Sequence, residues 1–175
     1  MSQPIYTIGH STRPIEEFLS LLQAQAIGQL VDIRTVPRSR HNPQYEQDAL
    51  AASLADAGIT YAYLKALGGL RPKAAVSTNT AWRNQSFRNY ADHMQTDEFR
   101  QGLAELLDLS AAAPTAIMCA EAVPWRCHRS LVADALLARG IPVLDIINPG
   151  APASHKLTSF AIVTGVDVTY AGPAD

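Results

Sequence analysis

Short apolar runs alternate with amphipathic stretches along most of the chain. Ile5 to Ile8 reads as a strand stopped by Gly9. Pro14 to Ile27 predicts a helix with Phe18, Leu19, Leu22 and Ala26 on one side, and Pro14, Glu16 and Glu17 suit its first turn. Leu30 to Ile33 is a second strand, Glu46 to Ala57 a second helix with Gly58 as its cap, and Thr60 to Leu64 a third strand. Residues 65–85 have no periodicity, and irregular stretches of that length inside a domain are often functional lids. Ser86 to Met94 and Asp97 to Leu109 predict two helices, Thr115 to Cys119 a fourth strand, His128 to Arg139 a further helix and Pro142 to Ile147 a fifth strand. Beyond Asn148-Pro149-Gly150 the pattern weakens. Phe160 to Val163 and Val166 to Tyr170 suit a terminal hairpin or edge strand about Thr164-Gly165. Strand-helix alternation implies an α/β fold, a single three-layer domain with a mainly parallel central sheet covered by helices. Its core spans about residues 5–147, with a C-terminal extension over 148–175.

Composition narrows the class. A chain of 175 residues with 47% hydrophobic and 17% charged positions has material for one core and is not broadly disordered. A net charge of −2 excludes a chain-wide polycation for nucleic acid. No apolar run reaches the roughly 18 residues of a membrane span. The start MSQPIYTIGHS lacks the basic, then apolar, build of a secretory signal. Two cysteines make no disulfide framework, so the expectation is a cytoplasmic protein with reduced thiols and no membrane partner.

The charge is unevenly placed. Residues 34–88 carry 8 basic and 3 acidic residues, while the rest carries 6 basic and 13 acidic ones. Arg13 follows the first strand; Arg34, Arg38 and Arg40 the second; Lys65, Arg71 and Lys73 the third; Arg126 and Arg129 the fourth. In a parallel sheet these loops share the carboxyl edge, where ligands of open sheets bind. Eleven of the 14 basic residues are arginine, whose fork suits carboxylate and phosphate. Arg38 and Arg83, taken singly, read as solvated surface residues.

The segment TAIMCAEAVPWRCHRSLVADALLARG carries most of the chemistry. A strand ends at Cys119, then Glu121, Trp125, Arg126, Cys127, His128 and Arg129 lead into a helix. A thiol beside arginines and a helix N-terminus lies in positive potential that favours thiolate. Cys119 is therefore the candidate nucleophile, with His128 or His10 as base or acid and Glu121 orienting a histidine or taking a proton. Cys127 reads as supporting, or as a resolving thiol that pairs with Cys119. The alternative for Cys119 is plain packing, since free cysteine is among the most buried residue types. In Gly9-His10-Ser11-Thr12-Arg13, a small hydroxyl caps the next helix and His10 gains weight only by convergence with the other loops. In DIRTVPRSR, Asp32 is expected to be buried and paired with Arg34, while Arg34, Ser39 and Arg40 are better placed to meet a ligand.

Together and in this order, YTIGHSTR, VDIRTVPRSR, YLKALGG, SFRNYADHM with DEF, and CAEAVPWRCHRSLVADAL resemble the domain of unknown function 488 family. They cover most of residues 5–147. The resemblance implies a compact α/β fold and a shared site of His10, Arg13, Arg34, Ser39, Arg40, Cys119, Glu121, Cys127, His128 and Arg129, without supplying a reaction. Tyr45 stands where phenylalanine is expected in many members. More distantly, VDIR and the later C…RS are similar to rhodanese-like sulfurtransferases. The loop from Cys119 to Arg129 is longer than the cradle of a rhodanese or cysteine phosphatase.

Three functions follow as expectations. The first is a cysteine-dependent enzyme on a small anionic substrate bearing phosphate, sulfur or carboxylate. The second is a binding module for a nucleotide, another phosphorylated ligand or a nucleic acid, with Tyr45, Trp82, Phe87 and Tyr90 stacking on bases. The third is a structural zinc site of Cys119, Cys127 and a histidine, disfavoured by the adjacency of Cys127 and His128; no other cofactor is expected.

Overall fold

The computed structural model describes residues 3–172. Four of the five predicted strand-forming runs are buried on both faces, as parallel strands between helical layers are. They are β1 (Ile5–Gly9), β2 (Gln29–Asp32), β4 (Thr115–Cys119) and β5 (Val143–Ile146); β3 (Thr60–Tyr63) is the more exposed edge. These five pair in parallel, and β6 (Ala153–Ser154) adds antiparallel to β5, giving the order β3-β2-β4-β1-β5-β6. The three-layer α/β fold is thus present.

Side-chain alternation divides the core into two layers. Leu30, Ala116 and Met118 face one side, where α1 (Ile15–Ala24) contributes Phe18, Leu21 and Leu22 and α2 (Gln47–Asp56) contributes Leu50 and Leu54. Val31 and Ile117 face the other side, against Tyr90 of α3 (Gln85–His93), Phe99, Leu103 and Leu106 of α4 (Asp97–Ser110), and Leu131, Val132 and Leu136 of α5 (Arg129–Ala138). The chain leaves β2 for the edge strand β3 through α2 on the first face. It leaves β4 for β5 through α5 on the second. The carboxyl ends of the adjacent strands β2 and β4 therefore send their chains apart, and a crevice opens between them. This is the topological switch point at which open sheets bind ligands.

The expected terminal hairpin is present as β7 (Ile162–Thr164) against β8 (Asp167–Thr169), with Gly165 in its turn. The last residues assigned to the C-terminal extension, 173–175, lie outside the described residues. The irregular 65–85 segment is tied down rather than loose. Tyr90 Oη donates to Leu67 O at 2.8 Å, Asn79 Nδ2 to Asp92 at 2.7 Å, and Tyr170 N to Asn79 Oδ1 at 2.9 Å. Among the described residues, no helix is long and apolar enough to cross a membrane.

Candidate functional site

The crevice holds a cavity of about 420 Å³. From β2 and its loop come Arg34, Thr35, Val36 and Arg38, and from β4 and its loop come Cys119, Ala120, Glu121, Arg126, Cys127 and His128. Gly69, Leu70, Ser86 and Phe87 close its third side. Burial fixes one wall. Asp32 is fully buried and accepts from Arg34 Nε at 3.0 Å, Arg34 Nη2 at 2.8 Å and Tyr61 Oη at 2.6 Å, so the expected Asp32–Arg34 pairing is present. Arg34 also donates to Tyr45 O at 2.8 Å, which leaves it holding the loop more than reaching outward. Arg38 and Arg126 are exposed and make no ion pair among the described residues.

The floor is sulfur. Cys119 and Cys127 are paired through their Sγ atoms, with their Cα atoms 7.2 Å apart. The two approach from different environments. Cys119 ends β4, and its sulfur lies 3.7 Å from the Glu121 carbonyl oxygen, an acceptor that suits a protonated thiol. Cys127 stands two residues before Arg129, the first residue of α5. Its sulfur accepts from the Arg129 backbone N–H at 3.5 Å and faces His128 Nδ1 at 3.4 Å. The helix start therefore serves Cys127 rather than Cys119. A thiolate there gains from the free N–H groups and the dipole of the helix.

His128 is oriented by a contact across the crevice. Its Nε2–H donates to Ile33 O at 2.8 Å, so the neutral ring presents the lone pair of Nδ1 to Cys127. Burial lowers this histidine to about 4; the Ile33 carbonyl opposes the shift and the Arg129 charge adds to it. Gly69 lets the 65–85 segment lie on the ring, since a Cβ there would stand 2.5 Å from Nδ1. Gly9 does the same for the loop after β4. A Cβ would overlap the Glu121 carbonyl oxygen, so only glycine lets that loop cross the end of β1.

The remaining predicted residues make contacts with the surrounding backbone, and none of them lines the cavity. His10 donates its backbone N–H to Cys119 O at 3.0 Å, and its ring stacks on Tyr45 with centroids 4.3 Å apart. Its Nδ1 bonds Ser11 O, its Nε2 is buried without a partner, and burial lowers it to about 4. Arg13 is held by Ile147 O at 2.7 Å, by Gly9 O and by Glu17. Arg129 is fully buried and donates to Ala122 O at 3.0 Å, fixing the loop from beneath; its Nε and Nη1 have no partner. Ser39 and Arg40 are not among the side chains lining the cavity, and Ser39 N donates to Glu46.

Sequence reasoning missed Arg38 as a lining residue, and Thr35, Leu70 and Ser86. Position after a strand marked Arg38, but nothing in the sequence separated it from its solvated neighbours. The end of the loop after Cys119 turns its amides on itself. Arg126 N and Cys127 N are used on Val123 O and Pro124 O within a 3₁₀ turn over Pro124–Arg126. Among the described residues, no three His, Cys, Asp or Glu side chains are gathered in metal-binding geometry.

A family model described as "Domain of unknown function DUF488" matches residues 14–136. No curated protein matches the chain, and no solved structure does. The distant likeness to rhodanese-like domains is not shown.

Proposed function

The chain belongs to the DUF488 family, a membership that names no reaction, and from the site itself we propose a cysteine-dependent enzyme acting on an anionic substrate at the carboxyl edge of the sheet. One observation carries the reading. The Cys127 sulfur meets both the Nδ1 lone pair of His128 and the Arg129 backbone N–H at the floor of the cavity. A nucleophile, a base and a third group orienting the base are the parts of an activated thiol. Here the orienting group is the Ile33 carbonyl.

In the reduced protein, His128 Nδ1 takes the Cys127 proton. Burial alone disfavours the imidazolium, but a thiolate 3.4 Å away supplies the opposite charge that supports it. The helix N-terminus shares the negative charge on sulfur. At the mouth, Arg38 and Arg126 are the cations left over once Asp32 has taken Arg34, and Glu121 offsets part of their charge. Exposed guanidinium groups there favour an anion that arrives from solvent and remains partly hydrated. Phosphate, sulfur oxyanion and carboxylate all fit that description.

The test is alkylation of the reduced protein by iodoacetate, an anion, and by iodoacetamide, its neutral counterpart. The rate ratio at Cys127 is expected to favour iodoacetate relative to the same ratio in urea-unfolded chain, and to fall with added sulfate. Equal ratios in folded and unfolded protein would overturn the anionic part of the reading. A Cys127 that stays unreactive until the chain unfolds would overturn the whole.

A further inference from the structure

Two thiols in contact, only one of them activated, are more than an acyl or phosphoryl transfer needs. A second thiol beside a thioester or thiophosphate would only move the group from one sulfur to the other. A second thiol beside a sulfur–sulfur bond completes a different reaction, because it displaces the leaving sulfur and closes a protein disulfide. The asymmetry at the floor fits that reaction. Cys127 has the base and the helix N–H, and Cys119 has a carbonyl that keeps its proton.

Building on the reading above, we propose that the site performs thiol–disulfide exchange on small disulfides carrying an anionic group, with Cys127 attacking and Cys119 resolving. The steps balance. The Cys127 thiolate attacks one sulfur of R–S–S–R′, the substrate S–S bond breaks, and R′–S⁻ leaves and takes the proton held on His128 Nδ1. The chain now carries Cys127–S–S–R. The Cys119 sulfur attacks Cys127 Sγ, that mixed disulfide breaks, and R–S⁻ leaves with the proton lost by Cys119. The substrate has gained two electrons and two protons, and the protein holds the Cys119–Cys127 bond found in the structure. An external dithiol reductant, the second substrate, reverses the oxidation by the same exchange.

The pair also explains why the cavity lies where it does. Cys127 is nearly buried and lines the cavity, so the attacked sulfur must enter, while the anionic end of the substrate stays at Arg38 and Arg126. Attack on sulfur requires a roughly linear approach to the S–S bond, which an entry from the mouth permits.

The experiment mixes fully reduced protein with one equivalent of dithiobis(nitrobenzoate), a disulfide bearing carboxylates, and reads released thiolate by absorbance and the chain by intact mass. Wild type is expected to release two aryl thiolates per chain and to lose two hydrogens in mass. Cys119→Ser, with Cys119→Ala as a second variant checked for folding by circular dichroism, is expected to release one and to keep one aryl adduct, mapped to Cys127. The uncharged dipyridyl disulfide is expected to show a smaller ratio of folded to unfolded rate than the carboxylate reagent. Wild type releasing only one aryl thiolate and keeping one stable aryl adduct would overturn the proposal, as would Cys127→Ser reacting at the wild-type rate through Cys119. If iodoacetate still selects Cys127 in that case, the thiol enzyme stands and only the disulfide chemistry falls. If neither probe distinguishes folded from unfolded chain, both fall.

Discussion

Two groups of buried polar residues touch α5, and they differ in how completely they are satisfied. Deeper in the helix, Asp134 accepts from His155 Nε2 at 2.9 Å, Tyr170 Oη at 2.7 Å and Thr158 N at 3.1 Å. Asp145 accepts from Thr7 Oγ1 at 2.5 Å and lies 3.6 Å from His155 Nδ1. Burial disfavours charge on His155, but its hydrogen bonds to Asp134 and Asp145 outweigh that and raise it to about 9. At the start of the helix, burial lowers His128 to about 4, and the Arg129 charge beside it adds to the shift where no carboxylate offsets it. Nearby, His10 Nε2 and two Arg129 nitrogens have no partner. A closed network fastens the C-terminal extension to the core. An open one, beside a cavity, leaves lone pairs and protons available for chemistry.

The largest effect expected from breaking this contrast is at Asp134. Asp134→Ala removes the nearer of the two carboxylates of His155 and leaves the Tyr170 hydroxyl unpaired in the core, and should lower stability by about 3–5 kcal/mol in urea unfolding. A loss under about 1 kcal/mol would mean that the cluster is not what fastens residues 155–170. Gly69→Ala comes next. The added methyl must move the His128 ring, at about 1–3 kcal/mol for overpacking, and Cys127 alkylation should slow in the same variant. A stability loss with unchanged thiol rate would separate the segment from the site.

The pH dependence sharpens the comparison from both sides. His155 has a folded value above its unfolded one, so its contribution is complete below about 6.5 and fades as pH rises through about 9. The stability gap between wild type and His155→Asn should therefore close over that window, by about 1–2 kcal/mol after allowance for solvent screening. In the disulfide-bonded protein, where no thiolate faces His128, His10 and His128 have the opposite sign. Their neutral forms are buried, so stability holds above about 6.5 and falls as pH drops toward 4. A stability profile flat from neutral pH down to 4 would contradict the buried, neutral state of both rings. The smallest change in stability belongs to Arg38→Ser at the cavity mouth. It should stay within about 0.5 kcal/mol of wild type, yet lose part of the preference for iodoacetate over iodoacetamide.

Much of the architecture was legible because both periods were clean. Thr115–Cys119 is an apolar run between Pro114 and a loop carrying Glu121 and Pro124, and it forms the strand over those same residues. The Thr164-Gly165 turn was equally readable between two β-branched runs. β6 was not, because the two residues Ala153–Ser154 carry no alternation and pair only because β5 offers an edge. The site was legible as a set of loops and less so as chemistry. Placing Cys119, Cys127, His128 and Arg34 at one edge needed only strand order. Telling the two cysteines apart needed the bond from His128 to Ile33, made across 95 residues of sequence. Arg13 reads as an anion binder in sequence, but the carbonyls of Gly9 and Ile147 that occupy it come from the folded sheet edge.

The most direct measurement of the central claim is the alkylation rate of each cysteine in the reduced, folded protein against pH, resolved by peptide mass spectrometry. An activated Cys127 predicts the faster reaction there, with an apparent midpoint well below the roughly 8.5 of a free thiol, and a slower, ordinary Cys119. Faster reaction at Cys119, or two thiols equally slow until the chain unfolds, would contradict it.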